Sequence, residues 1–432
     1  MADVVRTDVC IVGAGPGGCA AAITLAKHGV RAALVEKGTF PRDKVCGDAL
    51  SGKVMRALER LDPALAITLR ADARQLPSWG VTFVAPNGKA LRVPFSRHTG
   101  EGLAPGAIMP RLEFDALLFA RAMQTPGIAV HQGVTLKNFE RTSEGWRITD
   151  AQQRLTIEAR LVIAADGANS QFARHVAGLQ MEPRHHCAGV RAYYSGVSGL
   201  DPQGFIELIF LKELLPGYLW IFPLPDGRAN VGLGLRSDVV RKRRVDLKAL
   251  MQELIATHPQ LRDRFANARA EGPIQGLGLP LASKRRPLSG DGYLLVGDAG
   301  HLIDPFTGEG ISHAMISGMH AGDVAAEVLS STPDQAGSDP LSSRAESRDG
   351  SPDLRSYDAR VWKRLGKELA ISTRLQQLAD KPWLFNFVVG RALKNPALAD
   401  TISSMFNDLD LRERLKKPGF YLDLMFGRTP NA

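Results

Sequence analysis

The segment "TDVCIVGAGPGG" (residues 7–18) constrains the fold more than any other. Asp8 to Val12 form a short apolar run that breaks into glycines, and "CAAAITLAKHG" then reads as an alanine-rich helix stopping at Gly29. "VRAALVEK" follows at once as a second strand ending in Glu36, so the first 37 residues predict a complete βαβ unit. Gly13, Gly15 and Gly18 match G-x-G-x-x-G between a strand and a helix, the context that gives this motif meaning. The first glycine permits the tight turn, the second lets a pyrophosphate approach the backbone, and the third allows close helix-to-strand packing. Phosphates then sit at the helix N-terminus. Glu36 falls at about the spacing at which an acid ending the second strand binds ribose hydroxyls, so the unit predicts a dinucleotide site.

The rest of the chain must say which dinucleotide. Its 432 residues allow one large core or two domains, and 44% hydrophobic with 23% charged residues is ordinary globular composition. Two further buried-strand patterns, "LVIAADG" (Leu161 to Gly167) and "YLLVGDAG" (Tyr293 to Gly300), lie far from the first unit. Between them, residues 180–280 carry short β-like pieces such as "VRAYYSGV" and "ANVGLGL", and residues 70–110 share that texture. The expected class is therefore α/β: a Rossmann-like domain from residues 1–70, 105–180 and 285–330, with an antiparallel β-sheet domain from 71–104 and 181–284 inserted into it. Residues 331–354 are rich in Ser, Asp, Gly and Pro and are expected to form a loop without chemistry. Residues 355–432 have helical periodicity and carry Trp383, Phe385, Phe387, Phe406, Phe420 and Phe426. They are read as a helical cap on the inserted domain, with a membrane-docking surface as the alternative.

Charge and cysteine usage narrow the setting. The formal net charge is +9, but "RKRR" (Arg241 to Arg244) and "SKRR" (Ser283 to Arg286) are short, separate and without interleaved aromatics. They read as solvated surface rather than a nucleic-acid patch. Cys10, Cys19, Cys46 and Cys187 have neither metal-ligand spacing nor the density of a disulfide framework. A reducing compartment follows, and with no secretion signal or membrane span read in the sequence, a cytoplasmic location is expected. Peripheral contact with the inner membrane face stays open.

NAD and FAD share the fingerprint. A flavin needs in addition a carboxylate for its ribityl hydroxyls, and Asp298 after the strand "LLVGD" can supply it. It also benefits from positive potential near the ring, which the helix opened by Gly308 and Gly310 provides. Read alone, Asp298 is equally a cap or turn residue.

Gly13 to Gly18 with Glu36, "PRLEFD" (Pro110 to Asp115), Asp166-Gly167 and Gly297-Asp298 together resemble the FAD-dependent oxidoreductases of the para-hydroxybenzoate hydroxylase fold. The resemblance implies FAD and makes Arg111, otherwise a surface arginine opening a helix, the arginine that reaches the cofactor's ribityl and phosphate region. Two more stretches, "FPRDKVCGDALS" (Phe40 to Ser51) and "PGYLWIFPLPDG" (Pro216 to Gly227), are similar to the cysteine-glycine-aspartate loop and the Y-x-W-x-F-P signature of the geranylgeranyl reductase family. Lys37, Gly47 and Ile311 join the expected cofactor-binding set. The likeness spans most of residues 1–330 and implies saturation of carbon–carbon double bonds in a prenyl lipid or prenylated quinone.

Such a reaction needs a hydride from reduced FAD and a proton on the adjacent carbon. Isoprenoid alkenes have no carbonyl to polarise, so catalysis depends on holding the alkene and excluding water. Tyr218, Trp220 and Phe222 alternate with Leu219 and Ile221, and a strand sends the aromatic three to one side. They form a channel wall, the core of a sheet, or both. Cys46 is expected near the flavin ring, positioning substrate or relaying a proton; a packed turn residue is the plain alternative. Lys44 and Arg42 favour its anion, and Asp43 and Asp48 oppose it.

The rival readings are an FAD-dependent monooxygenase, a flavin halogenase, from whose G-W-x-W-x-I-P signature Tyr218 and Phe222 depart, and a non-catalytic flavoprotein. "GLGLRS" (Gly232 to Ser237) lacks a third glycine and reads as a strand rather than a nicotinamide fingerprint. NADPH, a ferredoxin or free reduced flavin remains as electron donor.

Overall fold

The computed structural model describes residues 3–95, 102–331, 353–379 and 381–395. The loop expected at 331–354, apart from its ends, and Phe406, Phe420 and Phe426 lie outside the described residues. The elements that position the site begin with β1 (Asp3–Val12), α1 (Pro16–Lys27) and β2 (Ala32–Glu36). Next come β3 (Gly80–Val84), β4 (Ala90–Pro94), α2 (Arg111–Met123), β5 (Ile128–Gln132), β6 (Leu136–Thr142), β7 (Gly145–Asp150) and β8 (Leu155–Ala164). Five strands follow: β9 (His186–Ser195), β10 (Ile206–Ile209), β11 (Tyr218–Pro223), β12 (Arg228–Arg236) and β13 (Arg269–Pro280). The last are β14 (Ser289–Gly290), β15 (Tyr293–Leu295), α3 (Ile311–Ser331), α4 (Arg355–Leu378) and α5 (Pro382–Ala392).

Two large sheets result. The first has the order β14-β15-β8-β1-β2-β5, with β7 and β6 continuing from β8. Its centre is parallel: Val9 to Val12 pair with Leu161 to Ala164 on one side and Ala32 to Val35 on the other. Period-two alternation sends Val9, Ile11, Leu34, Leu161 and Ile163 into a core beneath the helices. Cys10, Val12, Ala33, Val35 and Val162 go to the opposite core, beneath β6, β7 and Phe172. Both faces are covered, which is why these strands read as continuous apolar runs.

The second sheet runs β13-β9-β12-β11-β10-β3-β4 and is antiparallel except where β10 meets β3. Residues 80–94 and 186–280 thus meet in one sheet across a long sequence gap. "GLGLRS" falls within and just beyond β12, as its strand reading requires. Leu219, Ile221, Val231 and Leu233 face a core shared with the helix Leu247–Thr257. Trp220 and Phe222 face the other core, with Tyr218 and Tyr193 packed against it. A small sheet of Ala49–Leu50, Gly106–Ile108 and Leu76–Ser78 lies beside these layers.

The C-terminal helices correct the expectation of a cap on the inserted domain. Tyr357, Val361, Trp362, Leu365 and Leu369 of α4 are buried in the core of the first sheet, each such apolar side chain contributing roughly 1.5–3 kcal/mol. The Tyr357 hydroxyl also donates to the Leu295 carbonyl at 2.7 Å. α5 alone reaches the second sheet, through Phe385, Val389 and Ala392. "SKRR" also departs from its solvated reading: Arg286 is buried and pairs with Glu182 at 3.2 Å. Arg241 to Arg244 are exposed, as read.

Candidate active site

The glycine loop leaves room where an anion would lie. Gly13 has φ +98, and a Cβ there would stand 2.5 Å from the Ala165 carbonyl oxygen, so only glycine makes this turn. A Cβ on Gly18 would stand 1.8 Å from the Gly13 oxygen. On Gly15 it would meet nothing nearer than Arg42 Nη2, at 3.9 Å. Gly15 caps α1 without a side-chain hydrogen bond, so the first amides of the helix face this open space. Glu36, buried at the end of β2, accepts from the Ala14 amide at 2.9 Å and the Gly38 amide at 3.0 Å. Lys37 is exposed just beyond it.

Asp166 lies against the same loop, its Cα 2.9 Å from the Cβ position of Gly13. One carboxylate oxygen accepts from the Gln171 amide at 2.9 Å, and the other is buried without a hydrogen-bond partner. Burial raises the pKa of this carboxyl against the lowering influence of Ser170 and the backbone amides beside it. An open glycine cradle, a carboxylate at the second strand and an unpartnered acceptor between them fit an adenine dinucleotide.

The second half of the site comes from the distant segment. Gly297 and Asp298 open a turn after β15, and Asp298 Oδ1 would lie 3.3 Å from a Cβ on Gly310, at the start of α3. Lys44 of the cysteine loop donates to Asp298 Oδ2 at 2.9 Å. Asp304 shapes the turn into α3 by accepting from the amides of Phe306 and Thr307. Gly308 follows with φ +73, its Cβ position 3.1 Å from the Tyr218 hydroxyl, and that hydroxyl donates to the Thr307 carbonyl. Ile311 then begins α3.

Arg111 is buried. Its Nε and Nη2 donate to the two Asp115 oxygens at 2.6 and 2.7 Å, and its guanidinium lies close enough to Cys46 for the two to interact electrostatically. Burial opposes its charge, but Asp115 and Cys46 outweigh burial and raise its pKa. Arg42 links Asp115 at 3.1 Å to Glu36 at 3.2 Å, so one chain of charged groups runs from the dinucleotide loop to Cys46. The cation beside the thiol is therefore Arg111. Arg42 and Lys44, to which the sequence reading gave that role, are held by Glu36, Asp115 and Asp298.

The aromatic row meets the cysteine loop. Successive rings of Tyr218, Trp220 and Phe222 are 6.3 Å apart on one face of β11. A Cβ on Gly47 would stand 2.7 Å from the Phe222 ring, so the loop lies flat on the row. Asn230 fixes this contact: its Nδ2 donates to the Cys46 carbonyl at 2.8 Å and to Asp48 Oδ2 at 2.7 Å. Its Oδ1 accepts from Trp220 Nε1 at 2.9 Å.

Sequence reasoning missed the role of Asp48. It is fully buried with φ +66 and accepts from the Tyr193 hydroxyl at 2.7 Å and the Arg111 amide at 3.3 Å. Burial raises its carboxyl to about 6, against the hydrogen bonds from Tyr193 and Asn230 and the charge of Arg191. Arg191 lies over the Tyr193 ring and pairs with Asp43 at 3.0 Å. A signal was present in "ANVGLGL": an asparagine inside a buried apolar strand needs polar partners from elsewhere in the fold. Burial pushes the thiols of Cys10 and Cys187 up to about 12.

Comparison with known proteins agrees with the geometry. A family model described as an FAD binding domain matches residues 6–207. The chain is 30% identical over 328 residues to a digeranylgeranylglycerophospholipid reductase of Thermoplasma volcanium, covering 75% of this chain and 79% of the relative. It is 29% identical to a menaquinone reductase of Mycolicibacterium smegmatis, covering 76% and 77%. Among solved structures, a geranylgeranyl bacteriochlorophyll reductase-like protein of Thermoplasma acidophilum superposes with TM-score 0.72 at 24% identity, covering 99% and 98%. A flavin-dependent brominase, 20% identical with TM-score 0.73 and 98% of each chain covered, shares the fold. The chain therefore belongs to the geranylgeranyl reductase family of FAD-dependent oxidoreductases.

Proposed function

We propose that this protein saturates carbon–carbon double bonds in the prenyl chain of a lipid or prenylated quinone. The observation that carries the reading is the row Tyr218, Trp220 and Phe222 lying against Gly47, beside Cys46. An isolated alkene offers no polar handle, so a reductase must grip it through apolar area and keep water out. Aromatic faces beside a single thiol supply that chemistry. Relatives named for digeranylgeranylglycerophospholipid and menaquinone reduction support the substrate class.

The glycine loop of Gly13, Gly15 and Gly18 with the α1 N-terminus would hold the FAD pyrophosphate, and Glu36 with Lys37 the adenosine side. Asp166, Gly297, Asp298, Gly308, Gly310 and Ile311 would hold the flavin half. When bound and reduced, FAD supplies the hydride. Cys46 orients the alkene and holds a proton at Sγ. Loss of that proton leaves a negative charge, which the Arg111 guanidinium, fixed by Asp115, offsets. Asn230 holds the loop still by its bond to the Cys46 carbonyl. NADPH, a ferredoxin or reduced flavin is the external donor in this reading.

Anaerobic mixing of the reduced holoprotein with a panel of prenylated lipids and quinones tests the proposal. Return of the oxidised flavin spectrum with an unsaturated prenyl chain, and not with its saturated counterpart, is expected. A spectrum that returns only when oxygen is admitted, with a hydroxylated product, overturns it in favour of a monooxygenase.

A further inference from the structure

We infer that the outward face of α5 is a docking surface for an anionic lipid bilayer. The helix has two apolar stripes. Phe385, Val389 and Ala392, spaced by four and three residues, are turned to the core of the second sheet, and the Phe385 ring lies 4.2 Å from Phe210. The opposite stripe, Trp383 and Phe387, is 66% and 41% exposed, and Leu393 just past the helix is 48% exposed. A helix that merely covers a core carries polar residues on its outer side. Here the outer side carries a tryptophan and a phenylalanine.

The charge around the stripe selects the partner. Lys381, Arg391 and Lys394 flank it, and no acidic residue occurs from Lys381 to Asn395. The Arg391 guanidinium lies 5.3 Å from the Phe387 ring centroid, so the cation and the apolar face form one surface. Aromatic side chains at headgroup depth with basic residues beside them are what an amphipathic helix in the plane of an anionic membrane presents. A protein partner of opposite charge would be met by polar side chains between the cations, and the stripe has none. The membrane is also where a prenyl lipid resides. Phe210, which α5 covers, is 5.5 Å from Tyr218, so the docked face adjoins the aromatic row. Only this last link rests on the proposed function; the docking itself does not.

The test uses the full-length holoprotein without reductant or prenyl substrate. Sedimentation with vesicles of phosphatidylcholine alone is compared with vesicles containing phosphatidylglycerol. Wild-type protein is expected to bind the anionic vesicles at least about tenfold more tightly, with binding weakened by salt. Trp383→Ser with Phe387→Ser, and separately Lys381→Glu with Lys394→Glu, should each lower that binding about tenfold while leaving thermal unfolding unchanged. Failure of the wild type to bind anionic vesicles overturns the inference, as does binding unaffected by either pair. So does a dimer in sedimentation velocity that the aromatic pair abolishes. A protein that binds vesicles but reduces no prenyl chain would leave this inference standing and remove the proposed function.

Discussion

The Tyr193 hydroxyl donates to Asp48 Oδ2 across 2.7 Å, tying the loop that carries Cys46 to the middle of the second sheet. Asn230 donates to the same carboxylate oxygen, and Asp48 has no exposed surface. The position of the cysteine loop against the aromatic row thus depends on the carboxyl of Asp48.

Asp48→Asn is expected to destabilise the protein by about 1–3 kcal/mol. An amide turned to accept from Tyr193 and Asn230 points its NH₂ at the Arg111 amide, and turned the other way it faces Asn230 with a donor. The pH dependence has a definite sign. Because the folded carboxyl is raised to about 6, above its ordinary range, the folded state binds this proton more tightly than the unfolded state. The contribution of Asp48 to stability therefore falls as pH rises through about 4 to 6. Urea unfolding should show a larger advantage of wild type over the variant at the acid end of that window. An advantage that grows toward neutrality would contradict the assignment.

Lys53 and Glu368 join the helix Gly52–Leu61 to α4, with His313 beside them. Burial raises the Glu368 carboxyl, but His313, 4.0 Å away, and the Lys53 charge outweigh it and hold it at about 2. Its stabilisation is present above the ordinary glutamate range and is lost as pH falls through about 4.5 to 2. Lys53→Met should cost roughly 3–5 kcal/mol by leaving the carboxylate without its partner, and Lys53→Met with Glu368→Leu should recover most of that. Thermal unfolding of the three proteins decides it. Equal losses in single and double variants would show that packing, not charge, holds α4.

Cys46→Ser keeps the loop's size, and its backbone bond to Asn230 does not involve the side chain. FAD content should be unchanged, while turnover should fall by roughly 10²-fold if the thiol handles the proton. Parental turnover with full FAD would reduce Cys46 to a packed turn residue.

Gly15→Val should abolish FAD uptake without unfolding the apoprotein, because its side chain would project into open space rather than into neighbouring atoms. Absorbance of the purified variant and its far-ultraviolet circular dichroism give both readouts. A yellow, fully loaded variant would move the pyrophosphate elsewhere.

Much of this was legible because short-range signals carry it. The glycine turn before α1, the place of Glu36 at the end of β2 and the one-sided alternation of Tyr218, Trp220 and Phe222 follow from local sterics and strand periodicity. The polar joint was not legible, since Asp48 acquires its partners from residues 145 and 182 positions away. Charge counting near Cys46 failed for the same reason. Lys44 is drawn to Asp298, 254 positions on, and Arg111 arrives from another helix. The docking of α4 was also hidden, because an amphipathic pattern shows that a face will be buried and not against which layer.

Mass spectrometry of hydrogen uptake tests the central claim most directly. Chemically reduced holoprotein is incubated without oxygen with a geranylgeranylated lipid or a prenylated quinone. The account predicts gain of one hydrogen pair per double bond, absent in the Gly15→Val protein. No gain in mass from any prenyl chain while the bound FAD cycles normally, or an oxygen-dependent gain of one oxygen atom, would contradict it.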